Sequence, residues 1–169
     1  MNYIKFFIIT FPLFLISQSI QFYGADNYVQ IGDGLGGFDG FLESGDRFGR
    51  DHDVIGDVNG DGIFDIVIGA RSDDDGEIDA GAVYILFMNA DGTIQSHQKI
   101  SMSEGGFEET LLPSSYFGYG VAGIGDYDDD DIPDIAVSSP TPENRALYII
   151  HLNSNGTVKS YVKNENVNG

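Results

Sequence analysis

Short apolar runs, separated by polar and glycine-rich segments, recur along most of the chain. The runs at 65–70, 82–88 and 146–152 are rich in β-branched and aromatic residues. None of the runs shows the 3.6-residue period of an amphipathic helix, and Gly, Asp and Asn lie between them. The pattern therefore predicts an all-β chain built from short antiparallel strands.

The sequence contains two copies of one unit. Phe48-Gly49 recurs as Phe117-Gly118, 69 residues further on, and several other pairs share that offset. Beyond one loop that is five residues shorter in the second copy, Tyr84 pairs with Tyr148. A common register with one deletion indicates a duplicated structural unit.

Each unit is predicted to form four strands. Asp91-Gly92 and Asn155-Gly156 lie between the third and fourth strands and predict type I′ hairpin turns. A four-stranded antiparallel meander is the architecture of a propeller blade. The fold class expected is thus all-β, with two blades of a partial β-propeller rather than a closed ring. The predicted strands are 48–55, 65–70, 82–88 and 93–101, then 117–124, 134–138, 146–152 and 157–163.

The repeat divides the chain into segments. Residues 48–101 form the first blade and 102–163 the second, followed by a polar tail at 164–169. Ile31 aligns with Ile100 of the first unit, so residues 20–47 are interpreted as the tail strand of a preceding blade and a linker.

The N-terminus has the layout of a secretory signal peptide, predicted over residues 1–19. Lys5 precedes the apolar segment 6–16, and small residues follow at 17–19. That segment is far shorter than the roughly 20 residues of a membrane-spanning helix. We therefore expect a secreted protein with no membrane insertion of the mature chain; a buried core element is the alternative.

The charge balance narrows the possible partners. The chain has 27 acidic and 8 basic side chains, a formal net charge of −19, and no Cys. Nucleic acids and anionic membranes attract basic surfaces, so neither is expected as a partner. Because the acids cluster in short loops between the strands, they favour capture of a cation.

Two acidic loops, 57–65 and 126–134, follow the pattern D-x-[DN]-x-D-x-x-x-D. Side-chain oxygens at positions 1, 3, 5 and 9 and a backbone carbonyl at position 7 offer the hard donors that Ca²⁺ prefers, and Mg²⁺ is less suited. Gly62 and Asp131 stand at position 6, where a left-handed turn is expected. Plain acidic turns are the alternative.

Other metal and phosphate chemistry is disfavoured. Neither loop contains Cys or His, which speaks against zinc and copper. An EF-hand needs a helix and a Glu at position 12, where Ile68 and Val137 stand instead. An aspartyl-phosphate loop at 126–128 would need a parallel α/β sheet.

The remaining polar groups give no sign of a catalytic centre, and the chain is predicted not to be an enzyme. His52, His97 and His151 share no repeat position and are interpreted as solvated strand residues. The run 73–75 is interpreted as a solvated loop or a weak third cation site. A pair of carboxylates for glycoside cleavage is not excluded by the sequence.

The repeated aromatic residues are assigned to the core between adjacent sheets: Phe48, Phe117, Tyr84 and Tyr148.

The order Phe48-Gly49, acidic loop, Gly69-Ala70 resembles the FG-GAP repeat of integrin alpha-subunit propellers. The second copy has Phe117-Gly118, its own loop, and Ser138-Ser139-Pro140. Two departures stand out. Arg71 replaces the proline of the first GAP element. The first strand of the first copy carries the charged segment Arg50-Asp51-His52-Asp53, so this strand is expected to be short or distorted.

The resemblance implies a secreted, calcium-binding module for cell adhesion or for binding a protein or glycan ligand. Its two Ca²⁺ ions would be structural, and it would associate with further blades or with itself. An accessory propeller fragment of a larger secreted, hydrolase-like enzyme is the alternative. The implied ligands are Asp57, Asn59, Asp61, the carbonyl of Ile63 and Asp65, then Asp126, Asp128, Asp130, the carbonyl of Ile132 and Asp134.

Overall fold

The computed structural model describes residues 19–23, 28–142 and 145–165. The predicted signal peptide, apart from its last residue, and most of the predicted polar tail lie outside these ranges. Ten strands form within them, and no helix in these ranges could cross a bilayer. The strands are β1 (Ser19–Tyr23), β2 (Tyr28–Gly32), β3 (His52–Gly56), β4 (Asp65–Ala70), β5 (Ala82–Met88), β6 (Ile94–Ile100), β7 (Gly120–Gly125), β8 (Asp134–Ser139), β9 (Ala146–Leu152) and β10 (Val158–Asn164).

Two four-stranded antiparallel sheets make up most of the fold. Their strand orders are β3-β4-β5-β6 and β7-β8-β9-β10, so each is a meander in sequence order. β1 and β2 form a separate two-stranded antiparallel sheet. This confirms the predicted class: the chain is all-β, with two propeller blades that do not close a ring.

The first strand of each blade begins later than predicted. β3 starts at His52 and β7 at Gly120, because the Phe-Gly pairs lie in turns. Gly118 has φ 82°, and a Cβ there would lie 2.4 Å from the carbonyl oxygen of Ala82. Only glycine allows the chain to pass so close to the neighbouring blade.

The turns between the third and fourth strands are not type I′ as predicted. Gly92 has φ 85°, but Asp91 keeps a negative φ. Gly92 N donates to the Asn89 carbonyl at 2.9 Å, and Asn89 N donates to the Thr93 carbonyl at 2.8 Å. This is a three-residue loop that ends in a left-handed glycine. The Asp91 carboxylate also accepts from Thr93 N at 3.0 Å, within the same loop.

The first blade lies between two apolar layers. Alternate residues of β5 point to opposite faces of its sheet, and both faces are buried, which explains the unbroken apolar run. Val83, Ile85 and Phe87 pack in a core shared with the second blade. Tyr84 and Leu86 pack on the other side, toward β2 and the segment that follows it. Burying each such side chain contributes roughly 1.5–3 kcal/mol.

The repeated aromatic residues are core residues, as predicted. Phe48 and Tyr84 have ring centroids 5.3 Å apart and planes at 82°. Phe117 and Tyr148 have corresponding values of 5.4 Å and 80°. The same edge-to-face pair therefore recurs in both blades, which shows the duplication at atomic detail.

Hydrogen bonds from backbone amides to acidic side chains join the two blades. Val121 N donates to Asp51 Oδ2 at 2.8 Å, and Gly123 N donates to Asp53 Oδ2 at 3.0 Å. Both amides belong to β7, the first strand of the second blade. The acidic departure in the first strand of blade 1 is thus a contact with its neighbour, and β3 is one residue shorter than β7.

Candidate metal centres

The first acidic loop, between β3 and β4, is organised by the carboxylate of Asp57. Its Oδ1 accepts from Gly60 N at 2.8 Å and Asp61 N at 3.0 Å, and its Oδ2 accepts from Gly62 N at 2.7 Å. A short polar side chain can hold a turn in this way. The backbone is consequently wrapped around position 1 of the pattern.

Positions 3 and 5 of the first loop lie next to each other. Asp61 N donates to Asn59 Oδ1 at 3.0 Å, and Asn59 Nδ2 donates to Asp61 Oδ2 at 3.1 Å. Ile63 contributes its amide, which donates to Asp61 Oδ1 at 2.8 Å. Three of the predicted donor residues are thus grouped, and coordination by the Ile63 carbonyl stays a prediction.

Position 9 closes the loop against the sheet. Asp65 is fully buried; its Oδ2 accepts from Val58 N at 2.9 Å and its Oδ1 from Met88 N at 3.1 Å. Burial raises the pKa of this carboxyl, with the negative charges of Asp61 and Asp57 adding to the effect. Asp65 therefore joins the loop to the end of β5. Coordination of a metal ion by Asp65 stays a prediction.

The second loop, between β7 and β8, repeats these bonds. Asp126 accepts from Asp130 N at 2.9 Å and from Asp131 N at 2.8 Å, and Asp130 Oδ1 accepts from Ile132 N at 2.9 Å. The fully buried Asp134 accepts from Tyr127 N and from Leu152 N, each at 3.0 Å. The two loops thus share most of their side-chain to backbone bonds, although their sequences differ.

The left-handed turn predicted at position 6 is present in both loops. Gly62 has φ 89° and Asp131 has φ 69°. Position 4 is left-handed as well, with φ 77° at Gly60 and 59° at Asp129. Asp adopts this region more readily than most residues, so the second loop keeps its shape without glycine.

Acidic oxygens converge in the second loop. One carboxylate oxygen from each of Asp126, Asp128 and Asp130 lies within 4.8 Å of the others. In a second group, a ring nitrogen of His151 and one carboxylate oxygen each of Asp128 and Asp134 lie within the same distance of one another. The Oδ1 atom of Asp128 is buried and has no hydrogen-bond partner. A buried carboxylate oxygen without a partner is costly, and a cation would remove that cost. The donor set therefore fits a hard divalent ion.

The histidines are not solvated strand residues as predicted. His151 is 7% exposed, and its Nδ1 lies 3.0 Å from Asp134 Oδ2 and 3.7 Å from Asp128 Oδ2. His97 is half-buried, with Nδ1 3.0 Å from Asp39 Oδ1. His52 is half-buried too, and burial lowers its pKa. His151 is buried because β9 pairs with β8, which begins at Asp134. The sequence pattern alone does not show which residues this pairing brings together.

At the opposite end of the first blade, the run 73–75 is not simply a solvated loop. Asp73 is 4% exposed, and Lys99 Nζ lies 3.0 Å from Asp73 Oδ1 and 3.4 Å from Asp75 Oδ2. These residues line a pocket of about 270 Å³ together with Asp46 and Glu43. Lys99 already neutralises part of this cluster.

Sequence comparisons identify the repeat. Residues 53–86 match the FG-GAP repeat family. The chain is 40% identical to human Integrin alpha-6 over 111 residues, which is 64% of this chain and 9% of the relative. It is 37% identical to Integrin alpha-PS2 of Drosophila melanogaster over 101 residues, 60% of this chain and 7% of the relative.

A nematode integrin alpha subunit shows a similar level of sequence identity. Integrin alpha pat-2 of Caenorhabditis briggsae is 36% identical over 104 residues, 61% of this chain and 8% of the relative. The chain thus spans less than a tenth of the length of these curated relatives. Two blades with the same loop pattern, the family match and these relatives lead to one conclusion: the chain carries an FG-GAP repeat at residues 53–86 and is similar in sequence to integrin alpha subunits.

Proposed function

We propose that this chain is a secreted, calcium-binding FG-GAP module that serves in adhesion or in binding a protein or glycan ligand. Each acidic loop would hold one Ca²⁺ through the five donor residues that the resemblance implies for it. The observation that supports the metal most directly is the unpartnered, buried Asp128 Oδ1 among three neighbouring carboxylates. Secretion rests on the signal peptide predicted from the sequence.

The role proposed for the metal is structural. Carboxylates held within 4.8 Å of one another repel, and this repulsion weakens the loop that carries them. A divalent ion would cancel it and would join residues on both sides of the β7–β8 turn. Calcium that binds only the folded chain stabilises it by mass action.

Binding through surfaces, rather than catalysis, is the activity we propose. The relatives matched are integrin alpha subunits, which gives the enzyme-fragment alternative no support. The outer face of the second blade offers the half-buried Leu147 and Ile149 and, on β10, Val162 with 57% exposure. Further blades, a second copy or a protein ligand would cover such a face.

A thermal melt of the whole chain with calcium and with a chelator tests the structural role. At a calcium concentration 100 times the Kd, each site should raise Tm by about 5–10 °C. Asp128→Asn should lose part of this gain. Asp129→Asn is the control, because it removes one negative charge from the same loop at a left-handed position that Asn tolerates. This variant should keep the full gain in Tm with calcium. An identical Tm with and without calcium would reject the proposal.

A further inference from the structure

Lys159 places its ammonium inside the second acidic loop. Its Nζ lies 2.8 Å from Asp128 Oδ2 and 2.7 Å from Asp130 Oδ2. These carboxylates stand at positions 3 and 5 of the pattern, so the ammonium uses the oxygens that a divalent ion would need. Lys159 itself belongs to β10, the outer strand of the second blade.

The first loop has no such cation among the described residues. The residue that corresponds to Lys159 is Gln95 on β6, 64 positions earlier. Its Oε1 accepts from Asn59 Nδ2 at 3.3 Å, which is a neutral contact. The two loops are alike in backbone and in most donors, but only the second carries a positive side chain at its carboxylates.

From this difference we infer that Lys159 is a built-in competitor for the metal of the second loop, an inference that rests on the proposed calcium binding. A divalent ion must displace the ammonium before it can take both carboxylates. Because the competitor is tethered to the same blade, its effective concentration is high and constant. The first loop, which has Gln95 instead, fills at lower calcium.

The competitor also changes the calcium-free state. In the second loop, the ammonium offsets part of the repulsion among the carboxylates, whereas the first loop keeps its own repulsion in full. The first blade therefore depends on calcium more than the second, and the two loops respond over different ranges of calcium concentration.

Isothermal titration of the full chain with CaCl₂ tests the inference. The wild type should show two binding events, and Asp61→Asn should remove the tighter one. Lys159→Gln should tighten the weaker event by about tenfold. The reciprocal change, Gln95→Lys, should weaken the tighter event by a similar factor. Both positions are exposed, so neither change disturbs a core.

Two further measurements make the result decisive. Lys159→Arg keeps the charge and should leave the weaker event near its wild-type affinity. In chelator, Lys159→Gln should lower Tm, because the carboxylates lose their counter-charge. If both loops bind calcium and Lys159→Gln leaves the weaker event unchanged, the inference is overturned and calcium binding stands. If neither the wild type nor Lys159→Gln takes up calcium at millimolar concentration, the proposed function itself fails.

Discussion

Individual carboxylates of this chain behave differently according to what surrounds them. Asp65 and Asp134 are fully buried, and each accepts from one amide of its own loop and from one amide at the end of a neighbouring strand. Each of them therefore fixes its loop to the sheet. Asp46 is 5% exposed and lies beside the pocket on the other end of the first blade. It accepts from Glu43 N at 2.7 Å. Its negative charge is therefore poorly hydrated.

Asp46 gives a pH-dependent prediction. Burial, with Asp73 and Glu43 nearby, raises its pKa from 3.8 to about 6, although Lys99 opposes the shift. The folded state then holds a proton that the unfolded state loses, so stability falls as the pH rises from about 4 to about 6. Asp46→Asn should gain up to about 3 kcal/mol in the free energy of unfolding at pH 7.5 and little at pH 4.

Chemical denaturation at the two pH values measures this difference. Glu108→Gln is the control, since Glu108 is exposed and the change also removes one negative charge. An equal gain for Asp46→Asn at both pH values would contradict the explanation by titration.

At the scale of elements, the blades are joined by their first strands. The carboxylates of Asp51 and Asp53 on the first blade accept from two β7 amides. The corresponding residues of the second blade are Gly120 and Ala122, which have no carboxylate to offer. The second blade therefore offers no side-chain acceptor at these two positions.

Removing both carboxylates should loosen the contact between the blades. Asp51→Ala with Asp53→Ala leaves two β7 amides without their acceptors and should cost about 1–3 kcal/mol in unfolding free energy. Hydrogen exchange should speed up at Val121 and Gly123 while the centre of β5 stays protected. Glu108→Ala, an exposed acidic change in the second unit, should affect neither. Unchanged exchange at both amides would show that the bonds do not hold the blades.

For the whole molecule, the formal net charge of −19 acts as a general repulsion. Salt screens this repulsion over a distance of about 8–10 Å at physiological strength. In chelator, raising NaCl from 20 to 500 mM should therefore raise Tm by several degrees, on the order of 5 °C. With calcium bound, the gain should be smaller, because part of the charge is already neutralised. A Tm that falls with added salt in chelator would contradict this account.

The two blades and the backbone of the acidic loops follow from local features of the sequence. Short apolar runs, the 69-residue repeat and the alternating oxygens of 57–65 and 126–134 are local signals, and the backbone follows them directly. One exception was local too: the loop between β5 and β6 has three residues, 90–92, which excludes the two-residue type I′ turn that was predicted.

Which side chains surround the loops depends on how the strands pair and how the sheets pack. His151 reaches Asp134 across 17 residues, Lys159 reaches Asp130 across 29, and Asp51 reaches Val121 across 70. Such contacts depend on strand pairing and on one blade packing against the next. No short window of sequence contains both partners, so the difference between the two loops becomes visible only when the sheets are assembled.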